Sequence, residues 1–108
     1  MSEKIKVIVK EPGKAAQICE IEDGLSVLQE LVGGYIEVVP GRHGSLIICN
    51  ETGKLLGLKP NFMYPTEGDP YDVISGTAVI VGQAGEEFTD IPEKAEKYYK
   101  MLWGERWV

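Results

Sequence analysis

The sequence predicts an α+β domain, a mainly antiparallel sheet of five to six short strands with two helices packed on it. Three observations carry this. Apolar residues alternate with period two in several short runs, the turns between them have hairpin chemistry, and the two stretches with helical spacing do not alternate regularly with strands. At 108 residues the chain is a single domain, spanning residues 1–108 and long enough to bury a core.

Ile5, Val7 and Val9 alternate with Lys4, Lys6 and Lys10, the period of a strand with one wet face. Glu11-Pro12-Gly13-Lys14 places Pro at i+1 and Gly at i+2 of a type II turn, so Ala16 to Glu22 returns as the second strand of a hairpin. Asp23 is positioned to cap a helix, LSVLQELV, whose Leu25, Leu28, Leu31 and Val32 recur at three- and four-residue steps, with Leu28 and Leu31 facing the sheet. Gly33-Gly34 ends it, because glycine adopts the left-handed conformation that a helix C-terminus needs.

Tyr35 to Val39 is β-branched and aromatic and reads as a strand; a break at 40–44 separates it from the strand Ser45 to Cys49. After the turn Asn50-Glu51-Thr52-Gly53, an apolar pattern resumes from Lys54 to Leu58. Residues 59–75 hold three prolines and nothing periodic, and a loop of that length is expected to be functional or mobile. Thr77 to Val81 is the most apolar strand and belongs in the middle of the sheet. Ile91, Ala95, Tyr98 and Leu102 then share one face of a helix, with Pro92 in its first turn.

The chain carries a net charge of −6, with eight acids against six bases in residues 1–54 and nine against five in residues 55–108. No cluster of Lys and Arg is present to displace counterions from a nucleic-acid backbone, so DNA and RNA are not expected partners. The N-terminus has no signal-peptide pattern, and no apolar run approaches the roughly 20 residues that span a bilayer. A soluble, cytoplasmic protein without a membrane partner is expected. Cys19 and Cys49 are isolated among apolar neighbours and read as buried reduced thiols rather than a zinc or redox pair.

A Gly-Lys pair within Ile48 to Asn61 raises the question of a phosphate-binding loop. Ile48 stands where the first glycine of G-x-x-x-x-G-K-[ST] belongs and Leu55 where the hydroxyl belongs, and the pair lies between strands, so the motif is not met. His43 is the only histidine and has no fixed spacing to either cysteine. The acids lack the alternating oxygen ligands of a calcium loop. No catalytic constellation, metal site or cofactor is therefore predicted, and the chain is read as a non-enzyme.

What remains is a set of polar residues in the turns and the long loop: Arg42, His43, Asn50, Lys54, Asn61, Tyr64, Asp72 and Thr77. Brought together, they would bind a small anionic ligand such as a nucleotide, Arg42 forking onto phosphate and Tyr64 lying against a base. Alternatively they are ordinary turn residues, with Asn50 and Asn61 satisfying local backbone. A strand of five residues, roughly 17 Å long, separates Arg42 from Lys54, so such a pocket is expected to combine groups from two subunits. Tyr98, Tyr99, Trp103 and Trp107 exceed what one short helix needs to cover a sheet, which predicts a homo-oligomer.

The motifs EPGK at 11–14, LQELVGGYIE at 28–37, ICNETGKLLGLKPN at 48–61 and GTAVIVG at 76–82, taken in order, resemble the family catalogued as domain of unknown function 3846, found in phages, plasmids and conjugative elements. The resemblance covers roughly residues 4–90 and places Asn50, Lys54, Pro60, Asn61 and Thr77 at motif positions, with a longer Pro-rich segment at 62–72. It implies a small accessory product of a mobile element acting around host systems. By analogy with unrelated phage proteins of similar size, the first expectation is a binder that sequesters a small nucleotide signal of host antiviral defence. The alternative is a protein-interaction module that inhibits a host defence enzyme by docking on it. A hydrolase working from His43 ranks behind both.

Overall fold

The computed structural model describes residues 3–64 and 72–104, apart from the side chains of Tyr64 and Asp72. Its elements are β1 (Lys4–Lys10), β2 (Gln17–Glu22), α1 (Leu25–Val32), β3 (Ile36–Pro40), β4 (Ser45–Asn50), β5 (Pro60–Tyr64), β6 (Asp72–Ser75), β7 (Ala78–Ala84), β8 (Glu87–Thr89) and α2 (Glu93–Trp103). The main sheet runs β2-β1-β7-β4-β3 with β8 paired to β7, and β5 and β6 form a separate two-stranded sheet. Every pairing is antiparallel.

The alternation along the strands sorts the core onto two faces. Val7, Val9, Ile48, Val79 and Val81 meet Leu28 and Val32 of α1, whereas Ile8, Ile47, Ala78 and Ile80 meet Ala95 and Tyr99 of α2 on the opposite face. β7 is central, as its composition predicts, and its residues Ala78 to Val81 are fully buried.

The β1–β2 turn has the expected chemistry: Lys14 N–H donates to Glu11 O at 3.2 Å, and Gly13 has φ +75°. Asp23 does not cap α1. Gly24 holds the N-cap position with no side-chain bond, and the Asp23 N–H is instead spent on Glu3 O at 2.8 Å. Leu25 is exposed, while Gly33 ends the helix at φ +79°.

Two stretches differ from the pattern in the sequence. Lys54 to Leu58 forms no strand: residues 51–57 are a run of turns, with Leu56 N–H bonded to Thr52 O and Leu58 N–H to Gly53 O, and Leu55 is 89% exposed. Its apolar residues imitate a strand without having a partner to pair with. Within 59–75, β5 and β6 pair through Phe62↔Ile74 and Met63↔Val73. Pro60 opens the first of these strands, a position where its missing N–H is tolerated. β8 is a further strand with no sequence expectation. It follows Gly85, whose φ of +62° at the first central position fits a type II′ hairpin turn.

α2 is rotated slightly from its expected face. Pro92 is its N-cap, Ile91, Ala95 and Tyr99 are buried, and Leu102 is exposed. Ile91 N–H donates to Lys6 O and Lys6 N–H to Asp90 Oδ1, both at 2.8 Å, which seats the start of the helix on β1. This seat requires glycine at 82, since a Cβ there would run into the Asp90 carbonyl oxygen.

Glu96 completes the docking with an ion pair to Lys6 of β1 at 2.7 Å and makes a second pair, within α2, to Lys100 at 3.0 Å. The hydrogen bond from Lys6 and the charge of Lys100 hold its carboxyl below the ordinary range, against the opposing effect of burial. A depressed acid stabilises the fold above its unfolded value and ceases to do so as pH falls through its folded value. Glu96→Gln should therefore cost about 1 kcal/mol near neutral pH, the difference from the parent shrinking as pH falls below about 4.5, measured by urea unfolding at each pH.

Candidate functional site

The turn 41–44 between β3 and β4 lies against α2, and the reason is a closed set of hydrogen bonds. Ser45 Oγ donates to Arg42 O at 2.7 Å and lies 3.1 Å from Tyr99 Oη, which in turn accepts the Arg42 N–H at 2.9 Å. The serine has one proton and it is committed to Arg42 O, so the tyrosine must donate to the serine. Both hydroxyls are thus used, and both side chains are buried. Gly41 permits this approach: a Cβ there would clash with both Ser45 Oγ and Tyr99 Oη.

Beside this turn is a cleft of about 370 Å³ formed by α2, β5 and the turn, with Arg42, Phe62, Met63, Tyr98, Tyr99 and Trp103 in its lining. The rings form a continuous row. Phe62 and Trp103 have centroids 4.7 Å apart, Trp103 stacks on Tyr99 at 4.8 Å, Tyr99 meets Tyr98 edge-on at 5.1 Å, and Tyr98 meets His43 at 5.5 Å. Among the described residues, no carboxylate lines the cleft, and Arg42 supplies its positive charge. His43 is exposed at the end of the row in the left-handed region, φ 55°, a conformation uncommon for a residue with a side chain.

Asn50 and Lys54 line a second cavity of about 330 Å³, with Glu37, Cys49 and Ser75. The Asn50 amide is committed to the fold: its Nδ2 donates to Val32 O at 3.1 Å and its Oδ1 accepts from Thr52 N–H at 2.8 Å, tying the end of α1 to the turn after β4. Gly53 N–H bonds to Asn50 O, a local turn contact in place of a phosphate cradle. Cys49 is buried, with Sγ 3.8 Å from the Glu37 backbone oxygen and Oε1; Cys19 is only half-buried, and that burial raises its thiol pKa.

Asn61 belongs to neither cavity lining. The step from Pro60↔Ser75 to Phe62↔Ile74 leaves Asn61 as the extra residue of a bulge. Its side chain is thereby free to bond Lys10 O at 2.7 Å, Gly76 O at 2.8 Å and Lys10 Nζ at 3.0 Å. Thr77 is half-buried on the connection that follows Gly76. The side chains of Tyr64 and Asp72, and Trp107 altogether, lie outside the described residues.

The structure therefore places Arg42 in the lining of one aromatic cleft, sets His43 outside that lining against Tyr98, and separates both from Asn50, Lys54 and Asn61. The residues that sequence reasoning did not assign to a site are Phe62, Tyr98, Tyr99 and Trp103, the last three read as a surface for self-association. Their crowding on α2 was the available signal; that they face the 41–44 turn depends on the rotation of the helix. The alternation along β1 puts Lys10 on the wet face of the strand, and the structure buries it. It is 6% exposed, its Nζ bonded to Glu11 O at 2.9 Å and lying 5.8 Å from the centre of the Trp103 ring. No helix among the described residues is long and apolar enough to cross a membrane, and none of them form a group of three or more His, Cys, Asp or Glu suited to a metal ion.

The model of a domain of unknown function, DUF3846, matches residues 5–103, nearly the whole chain, and the protein belongs to that family. No curated protein matches the chain, and no solved structure does.

Proposed function

We propose that this DUF3846 domain is a non-enzymatic binder that sequesters a small nucleotide in the cleft between α2, β5 and the Arg42 turn. The observation that carries the reading is the lining: aromatic rings together with one arginine and no carboxylate among its described residues, in a chain of charge −6. Rings of this kind take the flat face of a base, and a guanidinium forks onto phosphate oxygens. The volume suits a small ligand. The hydroxyls of Tyr99 and Ser45 are spent on holding the turn, which favours holding a ligand over transforming it. In a mobile-element setting the ligand would be a signal of host antiviral defence. Each subunit of a homo-oligomer would carry its own cleft, since both the basic and the ring groups come from one chain.

A thermal-shift panel of nucleoside monophosphates, cyclic dinucleotides and ADP-ribose derivatives tests this. A ligand that binds only the folded state stabilises it by about 2.7 kcal/mol at a hundredfold excess over Kd. Arg42→Ala should abolish that stabilisation and leave the free protein's melting temperature nearly unchanged, because the Arg42 side chain is exposed and its turn is held through backbone atoms. A variant that keeps full stabilisation puts the pocket elsewhere. A docking module inhibiting a host enzyme is the second reading, favoured by the exposed Leu55 and Leu56 side by side on the 51–57 turns. Such a module would ignore every nucleotide and retain a host protein.

A further inference from the structure

Lys10 is a buried ammonium whose partners are all neutral: the Glu11 carbonyl, the Asn61 amide oxygen and the Trp103 ring. Among the described residues no carboxylate lies within ion-pair distance of it. Burial without a counter-charge is costly for a lysine and pushes its pKa down. Its positive field is not cancelled by a neighbouring carboxylate, and the Trp103 ring that Lys10 lies near is also part of the cleft lining. Water does not screen a charge in such a position as it screens one at the surface.

The cleft is thus positive from two directions, by contact at Arg42 and through Trp103 at Lys10, within an otherwise acidic chain. Its volume of about 370 Å³ lies near the lower bound for ligand pockets. Among the described residues Arg42 supplies the one guanidinium in the lining, which matches one phosphate group rather than two.

Resting on the cleft reading above, we propose that the ligand is a nucleoside monophosphate, and that Lys10 is a specificity-determining residue that favours the anion over the neutral nucleoside through Trp103. Lys10 does not touch the ligand; it acts on its charge. Two substitutions separate this from a purely structural role. Lys10→Gln keeps hydrogen-bonding capacity toward Asn61 and Glu11 without the charge, and Lys10→Arg keeps the charge.

The test is isothermal titration of the full chain with AMP, adenosine and a cyclic dinucleotide, for the parent and both variants. The expected results are tighter binding of AMP than of either other ligand, an AMP affinity lowered roughly threefold to tenfold by Lys10→Gln with adenosine affinity unchanged, and AMP affinity retained in Lys10→Arg. Equal losses for AMP and adenosine in Lys10→Gln would make Lys10 structural and overturn its assigned role. A cyclic dinucleotide binding as tightly as AMP would overturn the monophosphate assignment while leaving the cleft reading intact. Failure of all three to bind the parent would remove the cleft reading itself.

Discussion

Asn61→Ala is expected to lower the stability of the fold by about 3 kcal/mol, read from urea unfolding with an unchanged m-value. The side chain donates to Lys10 O and Gly76 O and accepts from Lys10 Nζ, so it joins β1, β5 and the connection into β7. Its loss deprives a buried ammonium of one of two oxygen partners, and bonds to charged groups are worth more than neutral ones. The two carbonyl oxygens lose a donor at the same time. The bulge at Asn61 means that alanine has no ladder pairing to regain. A cost under about 0.5 kcal/mol would mean that water replaces the amide without penalty, and the network would then not be a structural tie.

Tyr99→Phe should cost about 2 kcal/mol and also weaken nucleotide binding. Phenylalanine keeps the ring stack on Trp103 but removes the oxygen that accepts the Arg42 N–H and the proton donated to Ser45. The turn then keeps the Ser45 bonds and the His43–Tyr98 ring contact but loses its hydrogen-bonded tether to α2, so Arg42 is held less firmly at the cleft. Denaturant unfolding and titration with AMP measure the two effects. Lost stability with undiminished affinity would show that the Arg42 turn is positioned without α2.

Much of the fold was legible because the strands obey a period of two and the glycines stand at real turns. Val7 and Val9 sort from Ile8 by parity alone, and Gly33 stops α1 where its left-handed backbone requires it. The misreadings have physical causes. Leu55 and Leu56 imitate strand residues although they face solvent, and the β5–β6 pairing lies inside 59–75, where the prolines and the bulge at Asn61 obscure a period of two. Asp23 has the chemistry of a cap, yet its N–H is taken by a contact with Glu3 that no local pattern contains.

The site was less legible than the fold. Arg42 and His43 could be named as exposed polar groups on a glycine-rich turn, but their ring partners come from α2 and β5, distant in sequence. Asn50 and Asn61 were named with equal reason and are spent on backbone, the alternative that the sequence left open. Lys10 was hidden by its place in an alternating strand, since burial of a lysine at a strand end is decided by what packs over it.

The most direct measurement of the central claim is an amide chemical-shift map of the isotope-labelled chain titrated with AMP. The account predicts saturable shifts at Gly41 to Gly44, at Phe62 and Met63, and at Tyr98 to Trp103, with the second cavity around Asn50 to Leu55 unmoved. Shifts centred on Asn50 to Leu55, or none at saturating ligand, would contradict it.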